Sequence, residues 1–349
     1  MSSIDLKDAY FSVSVNPEFR KFLRFYWDSK LFQFTCMPNG LSSAPRIFTK
    51  LLKPIFSSMR SNGYCSVYYL DDSLLIGDTA EECLANVNLT ARLLKEAGFF
   101  INENKSSLIP SQTIKFLGFE IDSRRMIIKL TSERVKKTID IGNLLLKSKK
   151  IVIRELAAFI GTVVSSFPAV TYGPLFYRYL ENDKTEALEI NSGNFESEVV
   201  LSVEAKEEIL WWIDNIWNSE TDIGEPNSPD MIVSTDASLK GWGAVTELHK
   251  IGGRWNDSEL GNHINVLELM AILFAIKALT KGSTVKHVRI RTDSMTAVCY
   301  LNKLGGTKSL KCHKIVKEIW LYAISHAFVV SAEHLPGVNN TLADRESVK

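Results

Sequence analysis

Two hydrophobic periods alternate along the 349-residue chain. Near the start, "FSVSV" alternates as a strand does, and "SSAPRIFTKLLKPIFSSMRSNG" predicts a helix that opens on Ser and Pro and closes near Gly63. Pro54 is expected to bend or divide that helix, because it lacks the backbone N–H the helical ladder needs. "SVYYLDDSLLIG", residues 66–77, predicts strand, tight turn, strand. In "TAEECLANVNLTARLLKEAG", Thr79 and Glu82 make a capping box, Leu84, Val87, Ala91 and Leu94 form one apolar face, and Gly98 is the C-terminal cap. "IKFLGFEID" predicts a further strand. The order strand, helix, hairpin, helix, strand predicts an antiparallel sheet with helices on one face, of the α+β type, over residues 1–125.

Residues 126–218 are mostly helical in pattern, in "SERVKKTIDIGNLLLKS", "IRELAAFIGTVVSSF" and "SVEAKEEILWWIDNIW". "SETDIGEPNSPD", residues 219–230, is polar and rich in Gly and Pro, as a linker would be. Over residues 231–349 a fresh α/β pattern begins. "MIVSTDAS", "GWGAVTEL", "HVRIRTDS" and "AFVVSAEHLPG" predict strands, and "NVLELMAILFAIKAL" and "SLKCHKIVKEIWLYAISH" predict helices. The chain is thus expected to be multidomain, α+β and then α/β.

Composition changes this picture little. Charged residues are 23% and hydrophobic ones 45%, ordinary values for a soluble globular chain. Five widely spaced cysteines with no CxxC argue against a disulfide framework or a zinc site and fit an intracellular, reducing compartment. The start has no signal-peptide pattern, and the greasiest stretches carry Arg154, Glu155, Glu268 and Lys277, so no membrane span is expected. Net charge is +3 over residues 1–130, −6 over 131–227 and +4 over 228–349. Basic ends around acidic clusters would suit a polyanionic substrate held by metal ions, although solvated surface charge gives the same numbers.

The acids are more informative. Asp71 and Asp72 lie between two apolar runs, where a buried strand would reject them. A hairpin turn accounts for them, since Asp favours turns and β-formers flank the pair. A metal site accounts for them too. Asp5 lies beside another predicted strand end, so a sheet can bring the three acids together. Converging carboxylates repel unless a cation joins them, hard oxygen donors favour Mg²⁺, and two such ions suit in-line attack at phosphorus.

"IDLKDAYFSV", "CMPNGLSSAPRIFTKLL", "YYLDD" and "KFLGFEID" resemble, in order and over about the first third of the chain, successive palm motifs of a retroelement reverse transcriptase. Four motifs in order are far more specific than one. The resemblance implies that Asp5 and Asp72 are the main metal ligands and Asp71 their partner in the Y-x-D-D turn. It implies that Tyr10 is the aromatic gate against a 2′-hydroxyl, and that Asn39 and Gly40 lie in the loop packed on the incoming nucleotide. Many retroviral enzymes have Gln at the Asn39 position. Lys105 resembles the lysine that protonates the leaving pyrophosphate, and Phe116, Leu117 and Gly118 the segment that supports the primer end.

From about residue 228, "STDAS", "GWGAV", "LELMAI", "RTDS" and "HLPGVNNTLAD" resemble a type 1 ribonuclease H. The implied D-E-D-D set is Asp236, Glu268, Asp293 and Asp344, holding two Mg²⁺ ions, with Mn²⁺ as the substitute. His334 matches the mobile histidine that helps product leave, and Asn340 and Ser294 would help place the hybrid. Glu268 is expected beside an apolar helix face made by Leu267, Met270, Ala271 and Phe274, a costly place for an uncompensated carboxylate.

Together these imply a palm, a helical thumb and connection, and a ribonuclease H-like domain with a mixed sheet. The implied partners are an RNA template, a DNA primer, dNTPs and the RNA–DNA hybrid. "SAPRIFTK" and "LADRES" most resemble DIRS-type retrotransposons. The family carries fingers before the first palm acid, whereas Asp5 stands almost at the start, so a fingerless chain is expected. Three activities follow: a polymerase with a nuclease, a hybrid nuclease alone, or a non-catalytic nucleic-acid-binding remnant or structural partner.

Overall fold

The computed structural model describes residues 1–224 and 228–348. The chain divides into two compact units, Met1–Thr131 and Ser132–Lys349. The boundary falls past residue 125 because strand pairing continues to Leu130.

In the first unit the elements run β1 (Ser2–Lys7), β2 (Arg24–Trp27), β3 (Lys30–Gln33), α1 (Ala44–Ser61), β4 (Cys65–Tyr69), β5 (Asp72–Ile76), α2 (Ala80–Glu96), β6 (Phe100–Ile101), β7 (Thr113–Phe116), β8 (Phe119–Asp122) and β9 (Ile127–Leu130). The main sheet has the order β4-β5-β1-β6, and its pairs are antiparallel. β1 buries alternate residues, Ser2, Ile4 and Leu6. Ile4 and Leu6 pack with Phe48, Leu52 and Phe56 of α1, Leu75 of β5, and Val87 and Leu94 of α2. Each such side chain contributes about 1.5–3 kcal/mol of burial. The period of two then turns Asp5 away from this core.

Several local expectations need correction. Pro54 sits inside α1 without dividing it. "FSVSV" is not a strand: Ala9–Ser12 is a 3-10 turn, and the segment makes one isolated bridge, Ser14 to Cys36. Of the expected face of α2, Val87 and Leu94 are buried but Leu84 is exposed, and Cys83, Asn86 and Thr90 complete the buried side. Asn86 can be buried because its amide donates to the Cys65 and Ile76 carbonyls. The capping box of Thr79 and Glu82 forms, and Gly98 takes φ +87°. The β2–β3 hairpin exposes residues on both faces, so it has no one-sided pattern to read.

The second unit runs α3 (Ser132–Lys147), β10 (Ile151–Val152), α4 (Ile153–Val164), α5 (Arg178–Ile190), β11 (Glu198–Val199), α6 (Val203–Asn215), β12 (Glu220–Asp222), β13 (Met231–Ala237), β14 (Gly241–Val245), β15 (Lys250–Arg254), α7 (Ile264–Leu279), β16 (His287–Thr292), α8 (Met295–Asn302), α9 (Leu310–Ser325), β17 (Val329–His334) and α10 (Thr341–Ser347). Within the expected linker, Glu220–Asp222 is a short strand, and residues 225–227 lie outside the described residues. The helical segment is held by Trp212, fully buried, whose indole donates to the Phe176 carbonyl at 2.7 Å. Glu208, also fully buried, accepts from the Tyr179 and Leu180 amides at the start of α5.

The five-stranded sheet has the order β15-β14-β13-β16-β17, antiparallel on one side of β13 and parallel on the other. Both fold expectations, an antiparallel sheet with helices and a mixed sheet with helices, are met. Among the described residues no helix is long and apolar enough to cross a membrane.

Candidate functional site

Asp5 and Asp72 are register partners on the neighbouring strands β1 and β5. Asp71 follows Leu70 in the two-residue turn between β4 and β5, with Tyr69 paired to Asp72. Leu70 takes φ +54°, a left-handed conformation that is strained for a bulky residue. The turn is tied down where the Leu6 amide donates to the Asp71 carbonyl at 3.0 Å. Asp5 is fixed from the other side: its amide donates to Ser106 Oγ at 3.0 Å, and its carbonyl accepts from the Asn102 amide at 2.8 Å. The turn and the acidic cluster are therefore one feature.

A cleft of about 490 Å³ opens here, lined among others by Asp5, Asp71, Tyr10, Asn39, Asn102 and Lys105. Asp72 sits half-buried beside it. Burial first, then the Asp71 and Asp5 charges, raise its carboxyl above the usual range, while Lys105 opposes them. Tyr10 stands edge-on to Phe48, with ring centroids 5.3 Å apart. Burial raises its hydroxyl, as do Asp71 and Tyr69. Gly40, next to Asn39, takes φ +87°. Phe116, Leu117 and Gly118 lie elsewhere: Leu117 and Gly118, at φ +49° and +80°, are the turn of the β7–β8 hairpin. Asn102 and Ser106 were missed, because a polar loop after a helix carries no periodic signal.

In the second unit, Asp236 is on β13, Glu268 on α7 and Asp293 just past β16. One oxygen from each lies within 4.8 Å of the others. Among the described residues this is the group of acids gathered closely enough to share a cation. Glu268 is 6% exposed, and its Oε2 has no hydrogen-bond partner. Burial, then Asp236 and Asp293, push its carboxyl up to about 8, while the Ala237 amide and the Thr292 hydroxyl oppose this. Burial also raises Asp236, opposed by the Ser347 hydroxyl and reinforced by Asp293 and Asp344. Asp344 is exposed on α10, near enough to act on Asp236 but outside the close group. His334 is exposed at the end of β17, in register with Thr292, next to Asp293 in sequence.

Asn340 is turned inward. It is 2% exposed, and its amide donates to the Thr235 carbonyl at 2.9 Å, which ties the start of α10 to β13. Ser294 caps α8 by accepting from the Ala297 amide. The Asn340 amide nitrogen is thus taken up by the fold, while its Oδ1 is buried without a hydrogen-bond partner. Ser347, which donates to Asp236 Oδ2 at 2.7 Å, was not anticipated.

The donor set suits a hard divalent cation: three carboxylates, one with an orphaned buried oxygen, and no sulfur. Without such charge, burying Asp236 and Glu268 beside a third acid is costly.

The reverse transcriptase (RNA-dependent DNA polymerase) family model matches residues 1–121. The enzymatic polyprotein of figwort mosaic virus (strain DxS) is 25% identical over 372 residues, covering 98% of this chain and 49% of the relative. That of carnation etched ring virus is 25% identical, covering 98% and 50%. The chain thus spans about half the length of these curated relatives. Among solved structures, the foamy viral protease-reverse transcriptase in complex with RNA/DNA hybrid is similar with a TM-score of 0.54 and 18% identity, covering 97% of this chain and 44% of that one. The same protein in complex with dsDNA gives 0.52 and 17%, covering 96% and 67%. These likenesses show the fold: an α+β first unit, whose residues 1–121 match that family model, followed by an α/β sheet.

Proposed function

We propose that the chain carries an RNA-directed DNA polymerase site in its first unit and an RNA–DNA hybrid ribonuclease site in its second, each working with divalent metal, Mg²⁺ or Mn²⁺. One observation carries the reading: Asp5 and Asp72 are paired across two strands, with Asp71 beside them, in the segment that matches the reverse transcriptase model.

In the polymerase site, Asp5, Asp71 and Asp72 would hold the metal, which when bound supplies positive charge to the phosphoryl oxygens in flight. The chain's own groups do the rest. Tyr10, braced by Phe48, narrows the cleft where a sugar would sit and rejects a 2′-hydroxyl. Asn39 and Gly40 pack on the incoming dNTP. Lys105 Nζ delivers a proton to the departing pyrophosphate. The Phe116–Gly118 turn supports the primer end, and the 126–218 helices grip the template–primer duplex through its backbone.

In the nuclease site, Asp236, Glu268 and Asp293 would hold metal with Asp344 completing the set. His334 sits at the rim to help product leave. "SAPRIFTK" and "LADRES" support a DIRS-type retrotransposon origin within the broader likeness, and the cysteine pattern supports an intracellular, reducing setting.

A second reading has its own support. Among the described residues, the three acids gathered within 4.8 Å of one another are those of the second unit, not the palm. A chain inactive as a polymerase would then act as a hybrid nuclease, or simply bind nucleic acid.

The test runs two assays on the full chain, with Asp72→Asn and Asp293→Asn beside it: extension of a labelled DNA primer on RNA, and cleavage of an RNA–DNA hybrid. Extension lost in the first variant and cleavage lost in the second is the expected pattern. Cleavage without extension in the parent chain supports the second reading, and neither activity from folded protein overturns both catalytic assignments.

A further inference from the structure

Asp236 receives one hydrogen bond that the carboxylate pattern does not foresee. It comes from the end of α10, and the sequence explains how that helix reaches it. Gly243 on β14 leaves no room for a side chain: a Cβ there would lie 2.3 Å from the Ala343 carbonyl oxygen and 2.7 Å from the Ser347 amide. Gly252 on β15 is similar, with the Glu346 carbonyl 3.1 Å from its notional Cβ. Two glycines on adjacent strands therefore let the backbone of α10 lie directly on the sheet.

That contact delivers Ser347 to β13. Ser347 is 1% exposed. Its hydroxyl donates to Asp236 Oδ2 at 2.7 Å and lies 2.9 Å from the Asp344 carbonyl. A serine in the last turn of a helix ordinarily satisfies itself on a carbonyl of the preceding turn. Here the shorter bond goes to the acid instead. Ser347 is also gripped from the other side, since Ser238 Oγ donates to its carbonyl at 2.6 Å. One side chain thus touches the side chain of one implied ligand and the backbone of another.

We infer that Ser347 is a positioning residue for the second-unit acids: its hydroxyl holds the Asp236 carboxylate in the orientation that brings an oxygen within 4.8 Å of those of Glu268 and Asp293. The inference rests on reading that group as a divalent-metal site. Asp236 is itself buried, so without the hydroxyl Oδ2 loses a bond that water replaces poorly, and the carboxylate gains freedom to turn. The effect falls on metal affinity, as it does for hydrogen-bond partners of metal ligands generally.

The test is calorimetric titration of Mn²⁺ into the full chain. Every protein in the series carries Asp5→Asn and Asp72→Asn, so that the heat reports the second unit. Ser347→Ala is expected to weaken binding about tenfold, the lower end of the range for such partners. Ser347→Thr keeps the hydroxyl and Ser347→Val is its isostere without one, so Thr should bind more tightly than Val. Ser238→Ala removes another tether of α10 without touching Asp236, and should leave Mn²⁺ affinity unchanged. Hybrid cleavage in the proteins with native palm acids should follow the same ranking, with Mg²⁺ dependence moved to higher concentration.

Unchanged affinity in Ser347→Ala, or equal affinity in the Thr and Val proteins, overturns the inference and leaves the metal site standing. Equal losses in Ser238→Ala and Ser347→Ala also overturn it, because the serine would then merely fasten a helix. Should Ser347→Ala not fold, the Thr and Val pair decides. A parent protein that neither binds Mn²⁺ nor cleaves hybrid sinks the metal-site reading itself, a result distinct from any of these.

Discussion

Asp5 and Asp72 stand opposite each other across β1 and β5, and burial with its two acidic neighbours keeps Asp72 above the usual carboxylate range. Two like charges are held together in the absence of an internal countercharge strong enough to quiet them. Lys105 opposes the shift without overcoming it. The arrangement favours cation binding over bare stability.

Asp72→Asn should therefore separate the two. Removing the repulsion raises the melting temperature of metal-free protein, while primer extension falls by about 10²–10³-fold or more, the scale of losing transition-state charge stabilisation. Thermal unfolding in a chelator, beside primer extension with Mg²⁺, checks both halves. A destabilised Asp72→Asn would show that the acid is structural.

Leu70 supplies a second prediction. Its φ of +54° places a bulky residue where glycine is at ease, immediately before Asp71. Leu70→Gly relieves strain on the order of 1 kcal/mol but frees the unfolded chain, so stability should change by less than about 1 kcal/mol in either direction. Extension should nevertheless drop, because Leu70 also lines the cleft and holds the turn that presents Asp71. Denaturant unfolding and single-nucleotide incorporation measure the pair. A fully active Leu70→Gly would mean that the strain has no part in presenting the acids.

Much of this was legible in the residues. The capping box at Thr79, the strand–turn–strand around Asp71 and the strand ending at Asp236 all follow from local chemistry that the tertiary fold agrees with. Asp5, Asp71 and Asp72 could be foreseen as neighbours because a sheet brings strand ends together. What escaped was set by long-range packing. Leu84 faces outward because Asn86 finds two carbonyl partners and takes its place in the core. β15, "KIGGR", has two glycines where a strand-former is expected, because Gly252 faces α10 and Gly253 faces the Trp242 indole. Ser347 reaches Asp236 over 111 positions of chain, a distance across which no sequence period carries information.

Gly243 makes that packing testable. Gly243→Ala would drive a methyl group into the Ala343 carbonyl and the Ser347 amide. The clash is with backbone, so α10 must lift or β14 must shift, at about 1–3 kcal/mol for overpacking of this kind. Hybrid cleavage should fall, since Asp344 and Ser347 move together, while primer extension serves as the control assay. Unchanged unfolding and cleavage in Gly243→Ala would show that α10 is not held as tightly as the contacts require.

The last prediction concerns pH and Glu208. This glutamate is fully buried, and burial pushes its carboxyl up to about 7, even though the Leu180 and Tyr179 amides and the Lys317 charge favour the ionised form. Its ordinary value is 4.5, so the folded protein holds the proton more tightly than the unfolded chain does. The stability this contributes is fully present below about pH 4.5 and is lost as pH rises through about 7. A shift of that size corresponds to roughly 3 kcal/mol between the two limits. Glu208→Gln keeps an oxygen for the two amides and cannot ionise. The difference in unfolding free energy between Glu208→Gln and the parent should therefore move in favour of the variant as pH rises from 5 to 8. Comparing the two proteins at each pH cancels the other titrating groups, including His313, whose burial pushes it down to about 3 and so acts in the opposite sense below its ordinary value of 6.5. Urea unfolding at four pH values is sufficient. A constant difference would mean that Glu208 is ionised throughout, held by Lys317 and the helix start, and that its burial costs the fold the same at every pH.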